Sequence, residues 1–564
     1  MLLKVTVKDE AGEKVWCRLK VCRPEGAEGE PVAEICCGGE HIFAMPQENY
    51  RVEASRGKLY APAACTVRGE GASARADLCL KRVFDPKEWG LYSFDAHSHV
   101  SRDEESAAGS LEYAAQVMKS EAFNFFFAGS PYDTDVHYQY LSRSFTDACS
   151  YREKYAGLIA RMRSGDFIPD IGNEVVKCRY GHMFLMNYIQ RPPFSAHYDE
   201  RYDPWQFAKK GREPGYDILY PYEAIRRERG GNSVAVAAHP TSWWWQDGEF
   251  ITNIAATVGF DALAGAIDAI VILGYQDERP YYEKLWYELL DNGYFMPGVA
   301  ETDAAFDSLP GDFLRFRTYA WLEEFSIDAL CRAVRAGRCV ASSGPVLRMR
   351  VDGRLPGSAL AWAPGQEFDV DVECASCADG PLASLQIIVG GRVVAEYPAR
   401  GERFAVRHSF RAEKDSYILA KCRDAAGRVA IASPVYIRNA PFINRGYTSR
   451  VRVNVLPEGA EGSWRLDGGE THVFAGGFEL RMNPASDLRI SAGGRECAVK
   501  LFELPELQDI FRNLYTGRFN GGKRYEPGEV PAEEFRIRQV RELLDDVRLE
   551  MDMRDGSIRR CNGA

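Results

Sequence analysis

Ser233 to Pro240 reads SVAVAAHP. A short run of apolar residues with no polar residue among them suits a strand buried on both faces, as in a parallel sheet. The histidine that follows stands just past the C-terminal end of that strand. Open α/β sheets and α/β barrels place their chemistry there. The same texture recurs through the middle of the chain, in Asn124–Ala128 (NFFFA), Phe167–Gly172 (FIPDIG), Met183–Tyr188 (MFLMNY), Ala269–Leu273 (AIVIL) and Phe295–Ala300 (FMPGVA). Helical stretches are predicted between them, over Leu111–Lys119 and Tyr281–Asn292. A further helix runs from Ser326, as cap, to Gly337. Repeated strand–helix units predict an α/β barrel or a doubly wound sheet over residues 87–345.

Outside this block the period changes. Leu3, Val5 and Val7 alternate with Lys4, Thr6 and Lys8, and glycine-rich turns separate short strands, which predicts a β-sandwich over residues 1–86. Asp85-Pro86-Lys87-Glu88-Trp89-Gly90 reads as a linker. Phe368, Val370 and Val372 restore the alternation after Gly344-Pro345. Residues 385–394 read as a hairpin turning at Gly390-Gly391, so 346–440 form a second sandwich. Residues 441–564 form a third β unit, beginning with Val451, Val453 and Val455 and closing with a charged helix over 531–549. Four units agree with the 564-residue length at about 150 residues per domain.

Composition narrows the function classes. The net charge of −11 and the lack of a basic stripe argue against a nucleic-acid partner, which needs clustered Lys and Arg. No apolar run approaches the ~18 residues of a membrane helix. The N-terminus MLLKVTVKDE alternates like a strand rather than a signal-peptide core, so a cytoplasmic location is expected. Fifteen scattered cysteines suit a reduced chain with buried thiols, and Cys374-Ala-Ser-Cys377 is a single pair without a second.

Chemistry gathers at the strand ends. In FDAHSHVSR (Phe94 to Arg102), Asp95, His97 and His99 share one strand face. Two imidazoles and a carboxylate on one face need partners for every ring nitrogen, and a divalent metal supplies them. Glu174 follows FIPDIGN, His182 opens the next run, His239 follows SVAVAA, and Asp303 follows FMPGVAET. All are of metal-ligand type. Lys177, Arg179 and Arg317 are candidates to clamp an anionic group. Trp243, Trp244 and Trp245 are candidates to wall an aromatic or sugar pocket.

The ordered set resembles a known superfamily. D-x-H-x-H (Asp95–His99), G-N-E (Gly172–Glu174), G-H (Gly181-His182), A-H-P (Ala238–Pro240) and E-T-D (Glu301–Asp303) look like the polymerase-and-histidinol-phosphatase (PHP) superfamily. R-T-Y (Arg317–Tyr319), R-A-G-R (Arg335–Arg338) and S-G-P-x-L-x-x-x-V-D-G (Ser343–Gly353) are similar to its CehA/McbA-type metallohydrolases. The resemblance spans roughly residues 89–357. It implies a distorted (β/α)7 barrel holding one or two divalent ions (Mn, Zn or Fe) and hydrolysing a phosphoester, ester or carbamate in a small molecule that is phosphorylated, glycosidic or an aryl ester. It further implies that His97, His99 and Asp303 hold a first metal, that Glu174 bridges to a second completed by His182, and that His239 belongs to a third. Asp95 and Arg317 would serve the reaction. Two positions depart from the family: Phe127–Asp133 replaces a T-D-H, and Ala305 replaces a histidine. A third ion is therefore not expected, with His137 the one nearby substitute. The departures also motivate a rival reading, a degenerate barrel that binds a carbohydrate or other ligand without turnover.

Overall fold

The computed structural model describes residues 1–24, 31–100, 107–129, 152–176, 182–187, 232–246, 249–254, 258–263, 265–274, 281–306, 312–445, 448–484, 486–501, 504 and 544–561. The described chain is mostly β. Its centre is a curled sheet that begins after a 3-10 turn at Pro86–Trp89, capped by Asp85 and closed by Gly90 at φ 71°. The strands are β1 (Leu91–His99), β2 (Phe125–Gly129), β3 (Ile168–Val176), β4 (His182–Met186), β5 (Val234–Ala238), β6 (Ala269–Leu273), β7 (Gly298–Ala300), β8 (Ala304–Ala305), β9 (Arg317–Trp321) and β10 (Cys339–Ser342). Their order is β7-β6-β5-β4-β3-β2-β1-β9-β10, with β8 pairing β1 in parallel.

The apolar runs are strands because they are buried on both faces. Every residue of β2 and of β5 is buried. The sheet departs from the expected strand–helix repeat at β4, which pairs antiparallel with both β3 and β5. Only five residues separate β3 from β4, too short a link for a crossover helix. Helices α1 (Ala107–Ser120), α2 (Ala156–Met162), α3 (Val258–Leu263), α4 (Tyr281–Asp291) and α5 (Ile327–Arg335) accompany the sheet. What the described residues form is thus a curled, mixed sheet, not a regular ring of seven strand–helix units. Its two ends meet through side chains. The Thr318 hydroxyl of β9 accepts from Ala300 N at 2.7 Å and donates to Ala300 O at 3.0 Å. The Ser433 hydroxyl does the same for Gly298, at 3.1 and 3.3 Å.

The predicted boundary at 345 does not interrupt the sheet. β10 pairs antiparallel with Val429–Ala432, which carries the ladder on into Ser416–Asp424, Leu382–Val389 and Arg392–Tyr397. The last two strands turn at Gly390-Gly391, as the sequence predicts. A second sheet, Val346–Val351, Glu367–Ala375 and Arg403–Arg411, completes this unit.

The first and last β units share one topology. In the first, Leu2–Asp9 lies between Glu40–Ala44, antiparallel, and Ser73–Arg82, parallel. Cys17–Cys22 lies between Ala33–Cys37 and Tyr50–Ser55, and Tyr50–Ser55 pairs on with Ala63–Val67. In the last, Ser449–Leu456 lies between Gly477–Met482, antiparallel, and Asp546–Asp552, parallel. Glu461–Leu466 lies between His472–Ala475 and Leu488–Ala492, and Leu488–Ala492 pairs on with Arg495–Val499. The order of these strands along the chain is also the same, but the units differ at the edge: Tyr60–Ala61 precedes the strand it pairs with, Ser73–Arg82, whereas Ser557–Arg560 follows its partner Asp546–Asp552. The predicted closing helix is corrected here: residues 505–543 lie outside the described residues, and Asp546–Asp552 is a strand. Val547, Leu549 and Met551 face the core between Arg548 and Glu550, a period of two.

Candidate metal centre

Side chains converge where β1, β3, β5 and β7 end. His97 and His99 project from β1, and their Nε2 atoms lie 3.0 Å apart. Glu174 comes from β3, His239 from the residue after β5, and Asp303 from the turn between β7 and β8. His97 Nε2 lies 3.5 Å from Glu174 Oε1 and 3.4 Å from Asp303 Oδ1. His99 Nε2 lies 3.4 Å from Glu174 Oε2 and 3.1 Å from Asp303 Oδ1. His239 Nε2 lies 3.2 Å from Glu174 Oε1 and 3.9 Å from Asp303 Oδ2. Five side chains separated by more than 200 residues at the extremes thus form two overlapping triads, His97 with His239 and Asp303, and His97 with His99 and Glu174, each with its ligand atoms within 4.8 Å of one another.

Backbone conformation serves this convergence. His239 has φ 22° and Asp303 φ 46°, a region that costs a non-glycine residue about 1–3 kcal/mol. The Asp303 amide donates to His97 O at 2.9 Å, which holds the turn against β1. Gly129 lets His99 approach, since a Cβ there would stand 2.6 Å from Ser98 O and 3.1 Å from His99 Nδ1. Phe184 lies against the His97 ring, centroids 5.0 Å apart, and Gly172 makes room for it.

Glu301 is the residue that sequence reading left without a role. One carboxylate oxygen accepts from His97 Nδ1 at 2.8 Å and the other from the His239 backbone amide at 2.7 Å. With Nδ1 thereby assigned the proton, the lone pair of His97 Nε2 points into the cluster. This is how carboxylates orient metal-ligating histidines. The one available signal was the E-T-D triplet itself, which follows a buried strand.

Electrostatics favour a cation. Burial disfavours a charged His97, yet Asp303, Glu174 and Glu301 hold its pKa well above the ordinary histidine value. Burial likewise opposes charge on His239, and Glu174, Asp303 and Glu301 raise it. Burial pushes Asp303 up, but His97, His99 and His239 bring it down to about 2. Three buried carboxylates around three imidazoles leave the cluster short of positive charge, which protons or a divalent ion can supply. Ligand atoms about 2.0–2.2 Å from one ion sit roughly 3.0–3.5 Å from each other, the separation seen for most pairs here. The residues fit a bound divalent metal.

The other candidates are placed differently. Asp95 is fully buried beneath the cluster, where its carboxylate accepts from Thr302 N at 3.0 Å, Thr302 Oγ1 at 2.7 Å and His97 N at 3.2 Å. It holds the turn that carries Asp303, and burial raises its pKa to about 7. Arg317 is buried too. Its guanidinium donates to Glu121 O and Leu314 O, both at 3.1 Å, and lies 4.3 Å from the Phe123 ring centroid. A role on substrate is corrected to one in packing. The His182 backbone pairs with Val176 and Ala238, at the end of the sheet that carries the cluster. Trp243, Trp244 and Trp245 lie in a hairpin formed by Thr241–Gln246 and Glu249–Ile254. Lys177, Arg179 and His137 lie outside the described residues.

No family model matches the chain. No curated protein matches it. Among solved structures, it is similar to BcpA, the major pilin subunit of Bacillus cereus, at 10% identity and a TM-score of 0.13, over 29% of this chain and 65% of the pilin, less than two thirds of it. It is also similar to a Bacteroides uniformis β-glucuronidase, at 9% identity and a TM-score of 0.17, over 86% of this chain and 76% of that one. Likenesses this slight carry no argument about fold or activity. No helix among the described residues is long and apolar enough to cross a membrane.

Proposed function

We propose that the protein is a metal-dependent hydrolase of the PHP type, in a cytoplasmic setting, acting on a phosphoester, ester or carbamate of a small molecule. The observation that supports this reading is the pair of triads that share His97, one with His239 and Asp303 and one with His99 and Glu174, with Glu301 fixing the ring of His97. The curled sheet, with its ligands at strand ends, is compatible with a distorted PHP-type barrel. His97, His99, Glu174, His239 and Asp303 would hold one ion or a close pair. A bound ion of this class lowers the pKa of water and polarises the scissile group. Glu301 keeps the His97 proton on Nδ1 and its lone pair on Nε2. Asp95 and Thr302 hold the turn that presents Asp303. Buried walls on β1, β2 and β5 limit water around the reacting atoms.

Metal analysis of the purified protein tests the reading, together with hydrolysis of generic aryl phosphates, esters and carbamates after supplementation with Mn, Zn or Fe. At least one bound ion per chain and turnover lost in His97→Ala are expected. Stoichiometric metal without turnover on any of these substrates would favour the ligand-binding rival, which Ala305 already motivates. Less than one ion per chain, with no turnover after metal addition, would sink the enzyme reading.

A further inference from the structure

A second reactive group lies in the first β unit, away from the metal centre. Cys17 and Cys37 are direct partners across the antiparallel ladder between Cys17–Cys22 and Ala33–Cys37. Both face the interior of the sandwich, in the same cluster as Leu19 and Val7. Directly opposed residues in such a ladder have Cβ atoms about 4.5–5.5 Å apart, close to the spacing a disulfide requires. The neighbouring Cys36 points the other way, among Leu111, Ala115 and Met118 of α1.

The two thiols differ in environment. Cys17 is 0% exposed, whereas Cys37 keeps 8% of its surface in solvent. Cys37 ends its strand and enters the turn Gly38-Gly39-Glu40. Gly39 sits at φ 83°, where a Cβ would meet Val7 O at 2.8 Å. That tight turn keeps the Gly39 and Glu40 backbone beside Cys37. The Cys17 thiol and these amides outweigh burial and bring the Cys37 pKa down to about 7, while the same contact with Cys37 and burial push Cys17 up. A cysteine that favours the thiolate at the margin of the buried core, beside one that stays protonated, is a pairing in which a sulfenic acid on the first can be resolved by the second.

We propose that Cys17 and Cys37 form a reversible cross-strand disulfide, made by reaction of Cys37 with hydrogen peroxide. The Cys37 thiolate attacks the peroxide O–O bond. A sulfenic acid forms on Cys37, and the leaving hydroxide takes a proton to become water. The Cys17 sulfur then attacks the Cys37 sulfur. The S–S bond forms, the S–O bond breaks, and the Cys17 proton leaves with the hydroxyl as a second water. The peroxide is the two-electron oxidant, and a dithiol reductant reverses the change.

The test treats the full-length protein with hydrogen peroxide and maps disulfides under non-reducing conditions. A loss of about 2 Da is expected, assigned by fragmentation to Cys17–Cys37 and reversed by dithiothreitol. The link should persist in Cys36→Ser and vanish in Cys37→Ser. In Cys17→Ser, a dimedone adduct should accumulate on Cys37. A link through Cys36, or neither link nor dimedone adduct in proteins whose circular dichroism is native, would overturn the proposal. Should the variants not fold, alkylation of the reduced native protein decides the matter. Cys37 should react well ahead of Cys17, and equal or reversed rates would count against the assignment.

Discussion

At the level of single residues, the candidate site is a set of side chains whose carboxylate charge is offset by added protons or by a cation. The pairing of His97 with His99 was legible in the sequence because strand parity puts them on one face. Glu174, His239 and Asp303 were legible because each follows a buried apolar run. Glu301 was not, because its partner His97 lies 204 residues away and no local pattern records that contact. Arg317 misled for the opposite reason: an arginine beside a motif reads as a ligand clamp until its guanidinium is seen satisfying two backbone carbonyls. Glu301→Gln should weaken metal binding by about 10–100-fold, because an amide holds the histidine proton less firmly than a carboxylate. Titration of the metal-free variant against the parent, with circular dichroism to confirm an unchanged fold, measures this, and equal affinities would contradict the orienting role. Metal entry should also release protons, since the carboxylates hold His97 and His239 above their ordinary pKa. Apparent affinity should therefore rise with pH through the histidine range. Calorimetry in buffers of different ionisation enthalpy counts the protons, and a count of zero would contradict this account.

Among the elements, the strands were the readable part. Mostly apolar runs became β2, β3, β5, β6 and β7 within a few positions, and Ser326 caps α5 by accepting from Ala329 N at 3.1 Å. The orientation of β4 was not readable, because the apolar run of Met183–Met186 looks the same in either direction. The closing strand Asp546–Asp552 was obscured by its charge: Asp546, Arg548 and Glu550 suit an exposed helix as well as the outer face of a strand. The ends of the curled sheet are held by hydroxyls rather than by a strand ladder, which no periodicity could announce. Thr318→Val keeps the shape but strips both bonds from Ala300, leaving a buried amide unsatisfied. It should cost about 1–3 kcal/mol in urea unfolding, with Thr318→Ser recovering most of it. A valine variant as stable as the parent would mean that the seam is held elsewhere.

Across the whole molecule, the units are tied more closely than their sequence boundaries suggest. The Arg56 guanidinium of the first unit donates to Lys119 O at 3.0 Å, and Lys58 meets Asp379 of the 346–440 unit at 3.1 Å. Lys421 of the same unit meets Glu283 of α4 at 2.6 Å, and Tyr417 donates to Asp291 at 2.9 Å. The change of texture at 345 marks where hydrophobic periodicity shifts, but β10 keeps its hydrogen bonds to Val429–Ala432 across it. A chain ending at residue 345 should therefore be insoluble when expressed, with β10 left as a bare apolar edge. A soluble, monodisperse product by size-exclusion chromatography would show the cut to be a true domain boundary. The shared topology of the first and last units bears on synthesis as well. Each unit places its opening strand beside one that comes late in the unit, so the opening strand stays uncovered on one edge until that late strand has left the ribosome. For the first unit that moment comes early, at Ser73–Arg82. For the last it waits for Asp546–Asp552, so Ser449–Leu456 emerges roughly 90 residues ahead of the strand that covers its second edge. Any product of premature termination in that interval carries the edge uncovered, which gives quality-control proteases and chaperones a physical mark for telling it from the finished chain.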